Sequence, residues 1–518
     1  MAEGEVQGEW TLPDRWVWTT IGDVADTTSG GTPSRKRSRY YMDGTIPWVK
    51  SGELRDGVVS NAEESITKEA LDSSSARVFP KDTPLVALYG ATVGRTGILG
   101  INAATNQAVC AIFAWQSAFT PEFIVYWLRF QRPQLIEMSS GGAQPNISQQ
   151  IVRAFPLPLA PLPEQRRIVA AIETQFTRLD AGVAALERAR ANLKRYRATV
   201  LKAACEGRLV PTEVALARAE GRAYEPTDQL LARVLAERRA HWQAAHPGRR
   251  YVEPASPDVG SLPELPEGWC WATVEQLAAS EPHSITDGPF GSNLKTAHYT
   301  DSGPRVIRLQ NVGDGEFYDE EAHISHDHFE ALRKHEIFPG DLVIAALGQS
   351  LPRACIIPAY VGPAIVKADC IRFKPHPSLG VVQYLNATLN SETLKRIAAS
   401  IIHGVGRPRL NQQEVKSLPV PLPPFAEQQR IADEVERRLS LVVALEREVE
   451  AALARATRLR QAILKRAFEG RLVPQDPNDE PAAVLLERIR AERETAENGK
   501  SDRKKKRKTK KPQQLEMF

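Results

Sequence analysis

The chain has 518 residues, 42% hydrophobic and 25% charged, a globular composition with room for several units of about 100–200 residues. Its formal net charge is +4, but Arg503 to Lys511 alone carries eight basic residues and no acid, which leaves −4 on the rest. That near-neutral body excludes a globally basic nucleic-acid binder, so any nucleic-acid surface must be local.

In chain order, Met1-Ala2-Glu3-Gly4-Glu5 is acidic and opens no apolar run, so no signal peptide is expected. Leu12-Pro13-Asp14-Arg15-Trp16-Val17-Trp18 then begins a region of short β-prone runs, such as Val86-Ala87-Leu88 and Val109-Cys110-Ala111-Ile112-Phe113, bounded by Gly, Pro and Asn. Pro145 to Pro163 reads as a proline-rich joint that stops the sheet and launches a helix at Glu164. In that helix Ile172, Phe176, Leu179, Val183, Leu186 and Leu193 to Val200 follow alternating four- and three-residue steps, interrupted by Arg190 and Arg197. Such spacing predicts a coiled-coil seam, about 60 Å long over some 40 residues. Glu206-Gly207-Arg208-Leu209-Val210-Pro211 ends it, and a second helix is predicted around Leu230 to Trp242.

The same order then returns. Leu265-Pro266-Glu267-Gly268-Trp269-Cys270-Trp271 repeats the opening block, and Phe338-Pro339-Gly340-Asp341 repeats Phe79-Pro80-Lys81-Asp82. The runs Val306-Ile307-Arg308-Leu309 and Leu342-Val343-Ile344-Ala345 are again β-prone. Glu427-Gln428 repeats Glu164-Gln165, and Glu469-Gly470-Arg471-Leu472-Val473-Pro474 repeats the helix stop. Both blocks recur 263 positions on (164 to 427, 207 to 470), so the helices between them align without a gap. The second seam runs through Val435, Leu439, Val442, Val449, Leu453, Ala456 and Ile463, interrupted by Glu446, and a further helix is predicted at Val484 to Arg493. Equal helix lengths point to a length-sensitive pair. The architecture expected is α+β: two mixed α/β domains in tandem, each followed by a long helix, the two helices pairing as an antiparallel coiled coil.

Chemical motifs are sparse. Cys110, Cys205, Cys270, Cys355 and Cys370 are scattered without a CxxC pair, against a disulfide framework or zinc knuckle. Gly90-Ala91-Thr92-Val93-Gly94-Arg95-Thr96 is one residue short of a Walker A loop and has Arg for Lys, so a tight turn or a backbone approach to phosphate is expected. His323-Ile324-Ser325-His326-Asp327-His328 lacks zincin spacing and reads as a solvated loop or helix start. No catalytic motif is found, and no bound metal or cofactor is expected. No run reaches the roughly 18 apolar residues of a membrane span, and a cytoplasmic protein is expected.

The glycine-flanked polar loops are the candidates for DNA contact. Ser29 to Tyr40 packs Arg35, Lys36, Arg37 and Arg39 among hydroxyls, and Thr286 to Lys295 holds the corresponding place. Gly141 to Ser148 corresponds to Gly404 to Asn411. Arg, Asn and Gln can hydrogen-bond base edges, whereas Lys and backbone N–H hold phosphates. The expected base readers are Arg35, Arg37, Gln144 and Asn146 in the first half, and Asn293, Gln310, Arg407 and Arg409 in the second. Lys36 and Lys295 are the expected phosphate anchors, and Thr32, Ser34, Ser148 and Asn411 complete the set.

The blocks Thr28-Ser29-Gly30-Gly31-Thr32-Pro33, Ile46-Pro47-Trp48-Val49-Lys50, Asp287-Gly288-Pro289-Phe290-Gly291-Ser292, Glu427-Gln428-Gln429-Arg430-Ile431 and Phe468 to Asp476 carry a resemblance, in order and largely duplicated. Along nearly its whole length the chain resembles the specificity subunits of type I restriction–modification enzymes. The resemblance implies target-recognition domains at 1–163 and 265–426, and helical regions at 164–264 and 427–499. Residues 500–518 lie outside the resemblance; charged and poor in apolar groups, they are expected to form a basic, disordered tail. The resemblance also implies a non-catalytic subunit reading a bipartite, asymmetric site on double-stranded DNA, with the paired helices setting the gap. Two methyltransferase subunits would carry S-adenosylmethionine, and separate restriction/translocase subunits would use ATP and Mg²⁺. The alternatives are the specificity chain of a type II-like bifunctional restriction–methylation enzyme, or a coiled-coil scaffold without a DNA role. Gln514-Leu515-Glu516-Met517-Phe518 resembles the peptides that dock on bacterial sliding clamps, giving a further expected partner.

Overall fold

A computed structural model describes residues 10–139, 146–404 and 406–508, with side chains to residue 495. The expected α+β class and paired long helices are found. The chain forms two compact units that do not follow chain order: residues up to Leu186 with those from Ala451 onward, and residues Glu187–Glu450. Each unit therefore holds one globule, the start of the long helix that follows it, and the end of the other long helix.

In the first unit, Val17–Thr20 pairs antiparallel with Pro156–Leu159 and ties the start of the globule to its end. One sheet is ordered Ala25–Ser29, Val109–Ala114, Pro84–Ala87, Thr96–Leu99, Gly57–Val59; the other Glu64–Ile66, Ile46–Val49, Ala103–Thr105, Val78–Phe79. The second unit repeats the plan. Cys270–Thr273 pairs with Pro419–Leu422, and two four-stranded sheets follow, centred on Cys370–Phe373 with Leu342–Ala345 and on Tyr299–Ile307 with Ala364–Val366. The Pro-Leu-Pro-Leu and Pro-Val-Pro-Leu segments, expected as sheet-stopping joints, are thus strands. Proline is tolerated there because a two-stranded ribbon leaves one edge unpaired.

The first long helix spans Leu162–Cys205 and the second Phe425–Phe468, each starting two residues ahead of the expected glutamate. Within the first unit Ile168 and Ile172 share a core with Ile463, Leu464 and Phe468; within the second, Val200 and Leu201 share one with Ile431 and Val435. The start of each helix thus meets the end of the other, the antiparallel arrangement expected. Two of the seam's charged interruptions answer each other, Arg197 lying 3.4 Å from Glu446. The last helix spans Ala482–Lys508.

The duplicated sequence blocks turn out to be contact pairs of this frame. Trp16 Nε1 donates to buried Glu164 at 3.0 Å, and Trp269 Nε1 to buried Glu427 at 3.1 Å. Gln165 accepts from the backbone N–H of Thr120 and donates to the carbonyls of Ala118 and Ala160; Gln428 does the same with Val381, Leu379 and Pro423. Each Glu-Gln pair therefore fastens its helix to its own globule. The Gly of each helix stop fastens the other end. A Cβ on Gly207 (φ +63°) would meet Pro266 at 2.5 Å, and one on Gly470 (φ +68°) would meet Pro13 at 2.3 Å. Arg238, on the Thr227–Ala245 helix, and Arg493, on the Ala482–Lys508 helix, cap the Val274–Leu277 and Ile21–Val24 helices by donating to their carbonyls.

Burial pushes the Glu164 carboxyl above its usual range, and Oε1 has no hydrogen-bond partner among the described residues. A folded-state value above the unfolded one means the contribution is favourable at low pH and is lost as pH rises through the raised value. Glu164→Gln keeps an acceptor for Trp16 and removes the buried charge. The variant should melt a few degrees above the parent at pH 8, an advantage that disappears at pH 4; a melt lower at pH 8 than the parent's would contradict this.

Candidate nucleic-acid interface

In each unit the candidate loops hang from one ladder of backbone hydrogen bonds. In the first, Leu88 N–H donates to Ala108 O at 2.8 Å and Ile147 N–H to Leu88 O at 2.9 Å. In the second, Ala346 N–H donates to Asp369 O at 2.8 Å and Leu410 N–H to Ala346 O at 2.9 Å. Gln149 and Gln412 hold the next turn in place by donating to Thr27 and to the Ile285 carbonyl. The ladder brings three loops to one edge: the one after the first sheet strand, the one before the central strand, and the one leading to Ile147 or Leu410. The glycines of the first loop are dictated by close approach. A Cβ on Gly30 would meet Thr105 O at 2.1 Å, and one on Gly288 would meet Lys367 C at 2.0 Å.

All thirteen described candidates are exposed. Thr32 bonds Gln107 across the loops, and buried Trp48 holds the loop by donating to Gly31 O at 3.0 Å. The Arg35 guanidinium lies 4.3 Å from the Tyr41 ring and 4.9 Å from the Trp48 ring, and pairs with Glu64 at 2.6 Å. That pairing raises the Arg35 pKa, and hydrogen bonds from Arg35 and then Lys50 hold the Glu64 carboxyl below the usual range. Arg35 is thus a planar donor set in a fixed orientation, stacked and charge-assisted. Arg37 reaches the Tyr40 hydroxyl at 2.5 Å, while Lys36 and Ser34 face solvent.

In the second unit Arg409 does the corresponding work with different partners. It pairs with Asp369 at 2.9 Å, its guanidinium is 6.0 Å from the exposed Phe290 ring, and its backbone pairs with His403 and Leu347. Arg407 is exposed two residues away. Asn293 and Lys295 occupy short 3-10 turns of the first loop, where the Asn293 carbonyl meets His328 Nε2 at 2.9 Å.

Three candidates play other parts. Ser148 caps the Gln149–Ala154 helix and Asn411 the Gln412–Ser417 helix, each accepting from the backbone three residues on. Gln310 bonds Glu320 at 3.2 Å in a turn on the other sheet, away from the ladder. Asn146 backs onto Tyr89 in an isolated bridge, and Gln144 lies outside the described residues, as does Gln514 to Phe518. The histidine run starts a helix, capped by Ser325. Among the described residues no group of three or more His, Cys, Asp or Glu could hold a metal ion, and no helix is long and apolar enough to cross a membrane. Sequence reasoning missed Tyr41, Trp48, Phe290 and Asp369. For Tyr41 and Trp48 the available signal was an aromatic 6 and 13 residues from Arg35; Phe290 and Asp369 lie 119 and 40 residues from Arg409 and gave none.

The model of the type I restriction modification DNA specificity domain matches residues 13–188 and 301–455. The specificity subunit of the type I restriction enzyme EcoBI from Escherichia coli is 24% identical over 516 residues, covering 98% of both chains. That of EcoKI, from Escherichia coli strain K12, is 23% identical, covering 95% of this chain and 99% of the relative. A solved chain, described under the structural basis of complex assembly and conformational transition of the type I R-M system, superposes with a TM-score of 0.59 at 20% identity. It is matched over its full length and over 89% of this chain.

Proposed function

The chain belongs to the type I restriction modification DNA specificity family, and from that premise we propose that it is the non-catalytic subunit that chooses where partner enzymes methylate or cut DNA. The observation that carries the reading is the duplicated edge: the same backbone ladder presents Arg35 with Tyr41 and Trp48 in one unit, and Arg409 with Phe290 and Asp369 in the other. Identical supports with different polar groups suit two half-sites of different sequence. The paired helices, equal in length, set the gap between them. The recognition domains are 1–163 and 265–426, joined by the helical regions 164–264 and 427–499.

Partner subunits supply the chemistry. Two methyltransferase subunits bind S-adenosylmethionine and take the target adenine out of the stack, and restriction/translocase subunits use ATP and Mg²⁺. The complex works in the cytoplasm, and Gln514 to Phe518 offers a tether to a sliding clamp. The purified chain should transfer no methyl group alone and direct sequence-specific methylation once methyltransferase subunits and S-adenosylmethionine are added. Methyl transfer by the chain alone would refute the reading.

Arg35 and Arg409 read base edges, and Lys36 and Lys295 hold phosphates. Each Arg→Ala variant should lose about 1–3 kcal/mol of binding in the assembled enzyme and relax one position of the motif. Each Lys→Ala variant should weaken all sequences alike and lower the salt slope by about 0.9. Binding titrations at several salt concentrations separate the two; unchanged affinity in all four variants would refute the placement.

A further inference from the structure

The two halves differ at one place where the frame is otherwise the same. In the first unit Tyr126 and Phe176 stack edge to face, their centroids 5.8 Å apart, at the junction of the globule with the long helices. Arg460 lies over the Phe176 ring at 4.8 Å and pairs with Asp180, one helical turn beyond Phe176. The equivalents in the second unit follow from the contact pairs above. The helices share the offset of 263, so Phe176, Asp180 and Arg460 correspond to Leu439, Val443 and Arg197. Thr120 and Val381 give their N–H groups to the equivalent glutamines, so Tyr126 corresponds to Ala387.

Both rings are therefore truncated in the second unit, and the space is empty. A cavity of about 550 Å³ opens there, with Leu439, Val443 and Ala387 on its wall and Arg197 beside them. Among the described residues Arg197 has no ring beneath it, and it pairs with Glu316 and Glu446, both at 3.4 Å. The groove opens to solvent, and a ring laid against its apolar wall would recover the contacts that the two missing rings forfeit. The size is also that of a ligand pocket.

We propose that this groove receives an aromatic side chain of a partner polypeptide, seated against Leu439 and Ala387 beside Arg197. The first unit shows the chemistry that satisfies these walls, because there the chain supplies its own rings, Tyr126 and Phe176. The occupant is a segment of one methyltransferase subunit, which rests on the reading that such subunits dock on this chain. Only one of the two partner copies would be anchored in this way, so the two would bind unequally.

The test copies the first unit's plug into the second with Ala387→Tyr/Leu439→Phe in the full chain, assembled with its methyltransferase subunits. Sedimentation should show one partner copy bound as in the parent and the other at least about tenfold weaker, with the methylated motif unchanged. Undiminished binding of both copies would overturn the proposal. An inactive parent complex would instead count against the subunit's proposed function. As a check that does not depend on the double variant folding, p-cresol should bind the parent full chain saturably and the single variant Leu439→Phe far more weakly. No saturable binding to the parent would overturn the proposal. So would p-cresol binding with partner affinity unaffected by the double variant, which would make the groove a small-molecule site.

Discussion

Replacing residues 12–155 with the equivalent domain of a relative is expected to change one half of the methylated motif and leave the other half and the gap as they were. The basis is the separateness of the two edges. Arg35 contacts Tyr41, Trp48 and Glu64, and Thr32 bonds Gln107, within one globule, while Arg409 contacts Phe290 and Asp369 within the other. The exchange must preserve Pro13 against Gly470 and Trp16 against Glu164, so the donor domain needs its own Leu-Pro-x-x-Trp block. Sequencing of methylated positions in a host carrying the chimaera measures the outcome. A motif altered in both halves would contradict separate readers.

Lengthening the paired helices should move the half-sites apart without changing either. A heptad inserted after Ala191 and another after Glu450 keep the seam in phase and add about 10 Å, roughly three base pairs of rise. The expected motif has both half-sites intact and a gap longer by about three base pairs. The same heptad in the first helix alone would set Arg197 out of register with Glu446 and should abolish methylation. Full activity at the original gap in the doubly lengthened chain would show that the helices are not the ruler.

The frame was legible in the sequence because it is written twice. Each repeated block proves to be one side of a contact: Trp16 and Trp269 meet Glu164 and Glu427, and Gly207 and Gly470 meet Pro266 and Pro13. A contact whose partners lie 59 to 457 residues apart leaves no local pattern, and only duplication marks it. Arg238 and Arg493 were hidden because each sits among other arginines on a charged helix. The strands at Pro156–Leu159 and Pro419–Leu422 were hidden because proline usually signals the end of a sheet. At the candidate interface, residue type was informative and role was not. Ser148 and Asn411 have the polar groups of base readers yet spend them on helix N-termini, while Tyr41, Trp48 and Phe290 looked like core or turn residues and orient arginines. The emptied site of Tyr126 and Phe176 could be read only once both copies were superposed contact by contact.

The most direct measurement is the pattern of N6-methyladenine across the DNA of a host expressing this chain with its methyltransferase subunits. Two unlike half-sites, one read by Arg35's globule and one by Arg409's globule, separated by a fixed unspecified gap, are the expected result. A single continuous palindrome, or a pattern unchanged when this chain is omitted, would contradict the account.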